Sequence, residues 1–209
     1  MTYAKQDADK EDDVSEPGNG FVDIFDTSGN LVKRFASNGQ LNSPWGMAMA
    51  PATFGQFGGD LLIGNFGDGK INAFDPVSGA LLGSLADTNG APLSIEGLWA
   101  VKFGNGGKGG NPHRLYFTAG ISGGGAIEDH GLFGSIEVAL PMRIDSVTAT
   151  GSNLTLSWSG GVGPYLIQKK NNLSDITWLD VVTTTNQTTI VAKDGAAGFF
   201  RISDHATMP

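Results

Sequence analysis

The feature that most constrains this chain is a spacing that recurs. Trp45-Gly46-Met47-Ala48-Met49 returns as Trp99-Ala100-Val101-Lys102-Phe103, 54 positions later. Leu61-Leu62-Ile63 returns as Leu115-Tyr116-Phe117 after the same 54 positions. Phe25-Asp26 followed by TSGNLVKRF returns as Phe74-Asp75 followed by PVSGALLGSL after 49. Separate segments that keep one spacing mark a repeated supersecondary unit, and a repeat fixes the architecture before any single residue does.

The complete unit spans 41–85. Pro44 and Pro51 bracket a short apolar run, and Leu61-Leu62-Ile63 is a second run ended by Asn65-Phe66-Gly67-Asp68-Gly69. Asp68-Gly69 supplies the positive φ angles of a tight hairpin turn. Lys70–Phe74 alternates polar and apolar residues, as a half-buried strand does. Asp75-Pro76-Val77-Ser78-Gly79 is a turn, and 80–85 is a fourth strand. Four short antiparallel strands with a period near 40–50 residues are the make-up of a propeller blade.

SPWGMAMAP and DLLIGNFGDGKINAFDPVSGALL resemble the NHL-type propeller repeat, and the text around them comprises TYAKQDADKEDDVSEPGNGFVDIFD before and EGLWAVKFGNG, LYFTAG and HGLFGSI after. With the surrounding text they are similar to an uncharacterised family of secreted bacterial six-bladed propellers. The resemblance covers about residues 1–140. It implies an extracellular or periplasmic location, with the signal peptide upstream, and brings no established activity.

The chain enters this pattern in mid-blade. Met1–Ala4 aligns with Ile63-Gly64-Asn65-Phe66, the tail of a second strand; 7–19 is an acidic insertion, and 20–26 and 31–35 are the third and fourth strands. After the complete blade come 98–103, 114–119 and 131–137, with no fourth strand. The expected fold is therefore all-β: a partial, open propeller of about three blades at 1–140. A ring closes with about 4–8 blades. The remaining blades would lie upstream in a longer protein, or a second chain would supply them.

Past Val138-Ala139-Leu140-Pro141, Gly thins out while Thr, Ser, Asn and Val rise. Segments 143–150, 153–159, 165–170, 178–184, 188–192 and 198–203 read as six strands, separated by turns such as Gly160-Gly161 and Asp194-Gly195. Leu154, Leu156 and Trp158 alternate inward, with Ile167 and Phe200 as partners. The segment 142–205 resembles a small fibronectin type III-like sandwich, an accessory module whose fold alone fixes no function. Asn153, Asn172 and Asn186 stand in N-x-S/T sequons that carry no weight in a bacterial protein.

Composition narrows the partners. A net charge of −8 disfavours nucleic acid and anionic membrane surfaces. No apolar run reaches the roughly 18 residues of a membrane-spanning helix. The absence of Cys excludes disulfides, thiolate nucleophiles and zinc-thiolate sites.

Chemistry-bearing residues gather in one loop set. Asp7, Asp9, Glu11, Asp12 and Asp13 fall in the first insertion, Asp87, Asn89 and Glu96 in a second loop, and Asp129-His130 in a third. Antiparallel strands send these loops to one end of the sheets. The opposite loops, 52–59 and 104–112, are Gly-rich and carry little beyond Lys108. Exposed carboxylates are ordinarily solvated. At this density they also suit a hard cation such as calcium, with Asp12, Asp13, Glu96 and Asp129 as candidate oxygen ligands and His130 nearby. The 7–13 segment lacks the EF-hand glycine and terminal Glu. His113 reads as structural, and Trp45 and Trp99 as core.

These readings point to a non-catalytic extracellular protein that binds a protein, glycan or ion. The alternative is a metal-dependent hydrolase similar to the gluconolactonase-type propellers, whose Glu, Asn and Asp metal ligands would come from blades outside this chain. No catalytic residue and no organic cofactor is assigned.

Overall fold

A computed structural model describes residues 1–161, 163–193 and 198–204. The described residues form strands joined by turns and one 3-10 turn, Gly55–Phe57, with no α-helix among them. The chain divides into two compact units, Met1–Val138 and Ala139–Pro209.

The first unit holds three antiparallel sheets, none of which closes on itself. The first contains β1 (Thr2–Tyr3), β2 (Phe21–Phe25) and β3 (Leu31–Ser37) in that order. The second contains β4 (Pro44–Met49), β5 (Leu61–Asn65), β6 (Ile71–Phe74) and β7 (Leu81–Ser84). The third contains β8 (Leu98–Phe103), β9 (Leu115–Ile121) and β10 (His130–Ile136). Thr2 pairs with Val22 as Gly64 pairs with Ile71, so the first sheet begins at its second strand.

The repeat is reproduced down to its irregularities. Pro44 pairs with Asn65 and Met47 with Ile63, leaving one extra residue on β4. Leu98 pairs with Ala119 and Val101 with Phe117, leaving the same extra residue on β8. A second shared bulge sits between third and fourth strands: Phe25 pairs with Leu31 and Ile24 with Lys33, as Phe74 pairs with Leu81 and Ala73 with Gly83. Bulges inherited with the repeat are design features of the unit, not accidents of one copy.

Packing follows from the period of two along each strand. Leu62, Ile71 and Ala73 face Leu98, Val101 and Leu115 of the third sheet, in a core closed by Phe54 and Phe57 from the 50–60 loop. Ile63 and Phe74 face the other way, onto Val22, Phe35 and Leu41. β5 and β6 are thus buried on both faces, while β7 keeps Leu81 and Leu82 exposed. Lys70–Phe74, whose alternation reads as a half-buried strand, instead buries Asn72 as deeply as Ile71 and Ala73, because a sheet packs on each side of it.

The turns explain where hairpins form. Asp26 accepts from the backbone N–H of Ser28 (2.9 Å) and Asn30 (2.8 Å), and Asp75 from Val77 (3.1 Å) and Ser78 (2.6 Å). Gly29 and Gly79 supply the left-handed residue, at φ 84° and 75°. After β10 the matching residue is Glu137, whose longer side chain does not make this short loop, and no glycine follows before Pro141. The chain leaves without a fourth strand. One local expectation is corrected at Asp68-Gly69. Only Gly69 takes positive φ (69°), because the hairpin loop has four residues, 66–69, closed between Asn65 N and Lys70 O (2.8 Å).

The second unit is two three-stranded antiparallel sheets. One has the order β11 (Arg143–Thr150), β12 (Asn153–Ser159), β15 (Thr188–Ala192). The other has β14 (Leu179–Thr184), β13 (Tyr165–Lys170), β16 (Phe199–Ser203). Leu156, Trp158, Tyr165, Ile167 and Val191 form the core, with Leu154 and Phe200 packed against it. The Trp158 and Tyr165 rings meet edge to face at 5.3 Å. The Asp194-Gly195 turn and residue 205 lie outside the described residues.

Candidate functional site

One end of the first unit is a continuous seam of loops. Gly18 N donates to Leu41 O (2.7 Å) and Ser43 N to Asn19 O (2.9 Å). Gly67 N donates to Asn42 O (3.1 Å) and Ile95 N to Gly69 O (2.9 Å). Gly120 N donates to Gly97 O (2.8 Å), and the Ser122 N–H and hydroxyl both donate to Glu96 Oε2 at 3.2 Å. The 7–19, 86–96 and 121–129 loops therefore share one end, as alternating strand direction requires. At the other end Thr53 Oγ1 meets His113 Nδ1 at 2.7 Å, tying the 50–60 loop to the 104–114 loop.

The carboxylates of this rim hold their own loops. Asp7 Oδ1 accepts from Glu11 N (3.0 Å), Asp12 Oδ1 from Asp13 N (2.9 Å), and Asp13 Oδ2 from Ser15 Oγ (3.2 Å). Asp87 Oδ1 accepts from Asn89 N and Ala91 N. Asp129 Oδ2 lies 3.8 Å from His130 Nδ1. Asp12 and Asp13 sit with the first sheet, whereas Glu96 and Asp129 sit with the third. Among the described residues no three His, Asp or Glu side chains gather as a metal-binding group.

Two tryptophans are placed differently from the sequence reading. Trp45 is 52% exposed and Trp99 40% exposed, so neither is core. The cause is the shared bulge. The buried Pro44 and Leu98 precede it, Met47 and Val101 turn inward after it, and the extra residue swings each indole out. β4 and β8 lie side by side: a Cβ built on Gly46 would come within 2.6 Å of Trp99 O and Val101 N. The two indoles therefore occupy the same position on touching strands. Trp99 Nε1 donates to Glu128 Oε1 (3.0 Å), and the Trp45 ring leans on Phe66 at 6.4 Å.

Sequence reasoning also missed a set of buried polar side chains. Asp23 and Asn72 hold equivalent positions on β2 and β6, and both are buried. The fourth strand satisfies each: Arg34 forms an ion pair with Asp23 while lying 3.6 Å over the Phe21 ring, and Ser84 Oγ donates to Asn72 Oδ1 (2.6 Å). The signal was present in VDIFD against INAFD, a polar residue at one place in both copies. Gln40 O accepts from Asn65 Nδ2 (2.7 Å) and Asn72 Nδ2 (3.2 Å). Asn42 Oδ1, Ser43 Oγ and Asn65 Oδ1 are buried along the same seam without a protein partner.

No protein-family model matches the chain, and no solved structure matches it. It is similar to three uncharacterized proteins of Acanthamoeba polyphaga mimivirus. One is 47% identical over 85 residues, which is 41% of this chain and 22% of the relative. A second is 39% identical over 99 residues, 47% of this chain and 24% of the relative. A third is 39% identical over 84 residues, 40% of this chain and 16% of the relative. The chain spans under a quarter of the length of each. These relatives are viral, and none is bacterial.

Proposed function

We propose that this chain is a non-catalytic binding protein that works outside the cytoplasm, and that its ligand at Trp45 and Trp99 is a glycan. The observation that carries the reading is the pair of exposed indoles at equivalent positions on touching strands. Exposed aromatic faces that the fold could have buried mark interaction sites. Flat indoles suit the apolar C–H faces of sugar rings, and Glu128 beside Trp99 supplies acceptor oxygens for hydroxyls. The relation between the second and third sheets, repeated from the first, supports a partial propeller of the NHL type. The strand orders β11-β12-β15 and β14-β13-β16 support a fibronectin type III-like accessory module. An extracellular or periplasmic location rests on the resemblance to secreted propellers.

The test is a panel of soluble oligosaccharides titrated into the full chain by isothermal titration calorimetry, a readout that does not depend on the tryptophans themselves. A saturable change that disappears in Trp45→Ala/Trp99→Ala, with the melting temperature retained, supports the reading. Binding unaffected by that double variant, or no binding across the panel, overturns it.

A further inference from the structure

Glu128 is held in an uncommon backbone state against a close-packed neighbour. Its φ is 72°, a left-handed value that disfavours any residue with a Cβ. Glu128 N donates to Gly120 O (3.0 Å), and Gly120 N to Gly97 O (2.8 Å). A Cβ on Gly120 would stand 3.0 Å from Glu128 Cα, so the loop between β9 and β10 folds down onto bare backbone. That fold sets the Glu128 carboxylate beside Trp99, where Oε1 accepts from the indole Nε1 (3.0 Å). The second sheet has no such residue. Its shorter loop after β5 brings Phe66 against Trp45 instead. Strain kept at an exposed side chain points to a use for that side chain.

The charge around the two indoles is of one sign. An indole N–H is neutral, so it fixes the Glu128 carboxylate without cancelling its charge and leaves Oε2 for a ligand. Glu96, on the same seam, is held by the Ser122 N–H and hydroxyl, again neutral donors. Among the described residues neither glutamate has a Lys, Arg or His within ion-pair distance, whereas Asp23, Asp68 and Glu137 are paired with Arg34, Lys70 and Arg114. Asp129 and His130 meet at 3.8 Å in the same loop. No Lys or Arg occurs in 35–69, 71–101 or 115–142. At the borders of these segments Lys70 is paired with Asp68, and Lys102 lies toward the other end of β8 from Trp99. β1, which meets Trp45 through Thr2 Oγ1 (2.8 Å to Trp45 O), carries no charged side chain. A uronic or sulfated sugar would bring like charge to this ground. An ammonium would pair with the free carboxylate oxygen and be drawn to the indole faces as well. Resting on the reading of Trp45 and Trp99 as a glycan site, we infer that the sugar bound there carries a free amine, its ammonium at Glu128 Oε2 and against the indoles.

The probes are a short linear oligomer of glucosamine and the same oligomer fully N-acetylated, which keeps ring and linkage and removes only the positive charge. Each is titrated into the full chain by calorimetry at about pH 6, where a sugar amine is charged and ordinary carboxyls are ionised. The expected result is affinity about tenfold higher for the amine-bearing oligomer. Glu128→Gln, which keeps an oxygen for the Trp99 N–H, should bring the two affinities together with the melting temperature retained. Equal affinities in the parent chain overturn the inference and leave the glycan reading standing. A preference untouched by Glu128→Gln also overturns it. So does one that survives in Trp45→Ala/Trp99→Ala, which is a general attraction of a polycation to an acidic chain. Binding of neither oligomer overturns it too, and the wider oligosaccharide panel then decides the glycan reading separately.

Discussion

Gly46 lies against the backbone of Trp99. A Cβ at position 46 would stand 2.6 Å from Trp99 O, closer than real Cβ contacts allow, and the atoms it meets are main chain. Gly46 takes no positive φ, so its need for glycine is one of space and not of conformation. Gly46→Ala should therefore force β4 and β8 apart and cost about 1–3 kcal/mol. The check is urea denaturation followed by a probe in the first unit. A loss below about 0.5 kcal/mol would mean that the strands part without strain.

Asp26 and Asp75 predict a shared acid sensitivity. The Asn30 side chain, then the Asn30 N–H, hold the Asp26 carboxyl below its ordinary value of 3.8. For Asp75 the Ser78 N–H, then the Ser78 hydroxyl, act in the same direction. A carboxyl whose folded value is depressed stabilises the fold fully above its unfolded value and loses that contribution as pH falls through the folded one. Asp26→Ala/Asp75→Ala should lower the melting temperature at about pH 6, and the gap to the parent should close below about pH 3.8. A gap independent of pH would show that the turns do not depend on ionised carboxyls.

Trp158 closes the core of the second unit at 2% exposure. Trp158→Ala should cost that unit about 3–5 kcal/mol. Near-ultraviolet circular dichroism and hydrogen exchange should show the loss over 143–203 and leave the amides of β4–β6 protected. Joint unfolding of both units would contradict their separation.

Calcium is tested by thermal melts. Asp12 and Asp13 belong to one sheet and Glu96 and Asp129 to another, and each is already engaged in its own loop or neighbour. Millimolar calcium should therefore raise the melting temperature no more than magnesium does, or sodium chloride at matched ionic strength. A calcium-specific rise that grows with concentration would establish a site among these four residues.

The sequence by itself determined the strands of this protein. Period, turn residues and the spacing between copies place β2 to β16 within a residue or two. These are local properties: the alternation of Lys70–Phe74, the Asx turns at Asp26 and Asp75, and glycine where φ is positive. The absence of a fourth strand after β10 was equally legible, because Glu137 breaks the turn chemistry. What only the tertiary structure decided is which side chains those strands present. Trp45 and Trp99 read as core because large apolar residues in a strand ordinarily are. A one-residue bulge reverses that, and a bulge depends on pairing with a strand roughly fifteen residues away in the chain. The rim carboxylates share an end because strand direction is legible, yet they are dispersed between sheets because the angle between sheets is not. Burial of Asp23 and Asn72 likewise needed a partner strand to supply Arg34 and Ser84. Periodicity reports on the backbone of one segment, whereas exposure and convergence are properties of segments brought together.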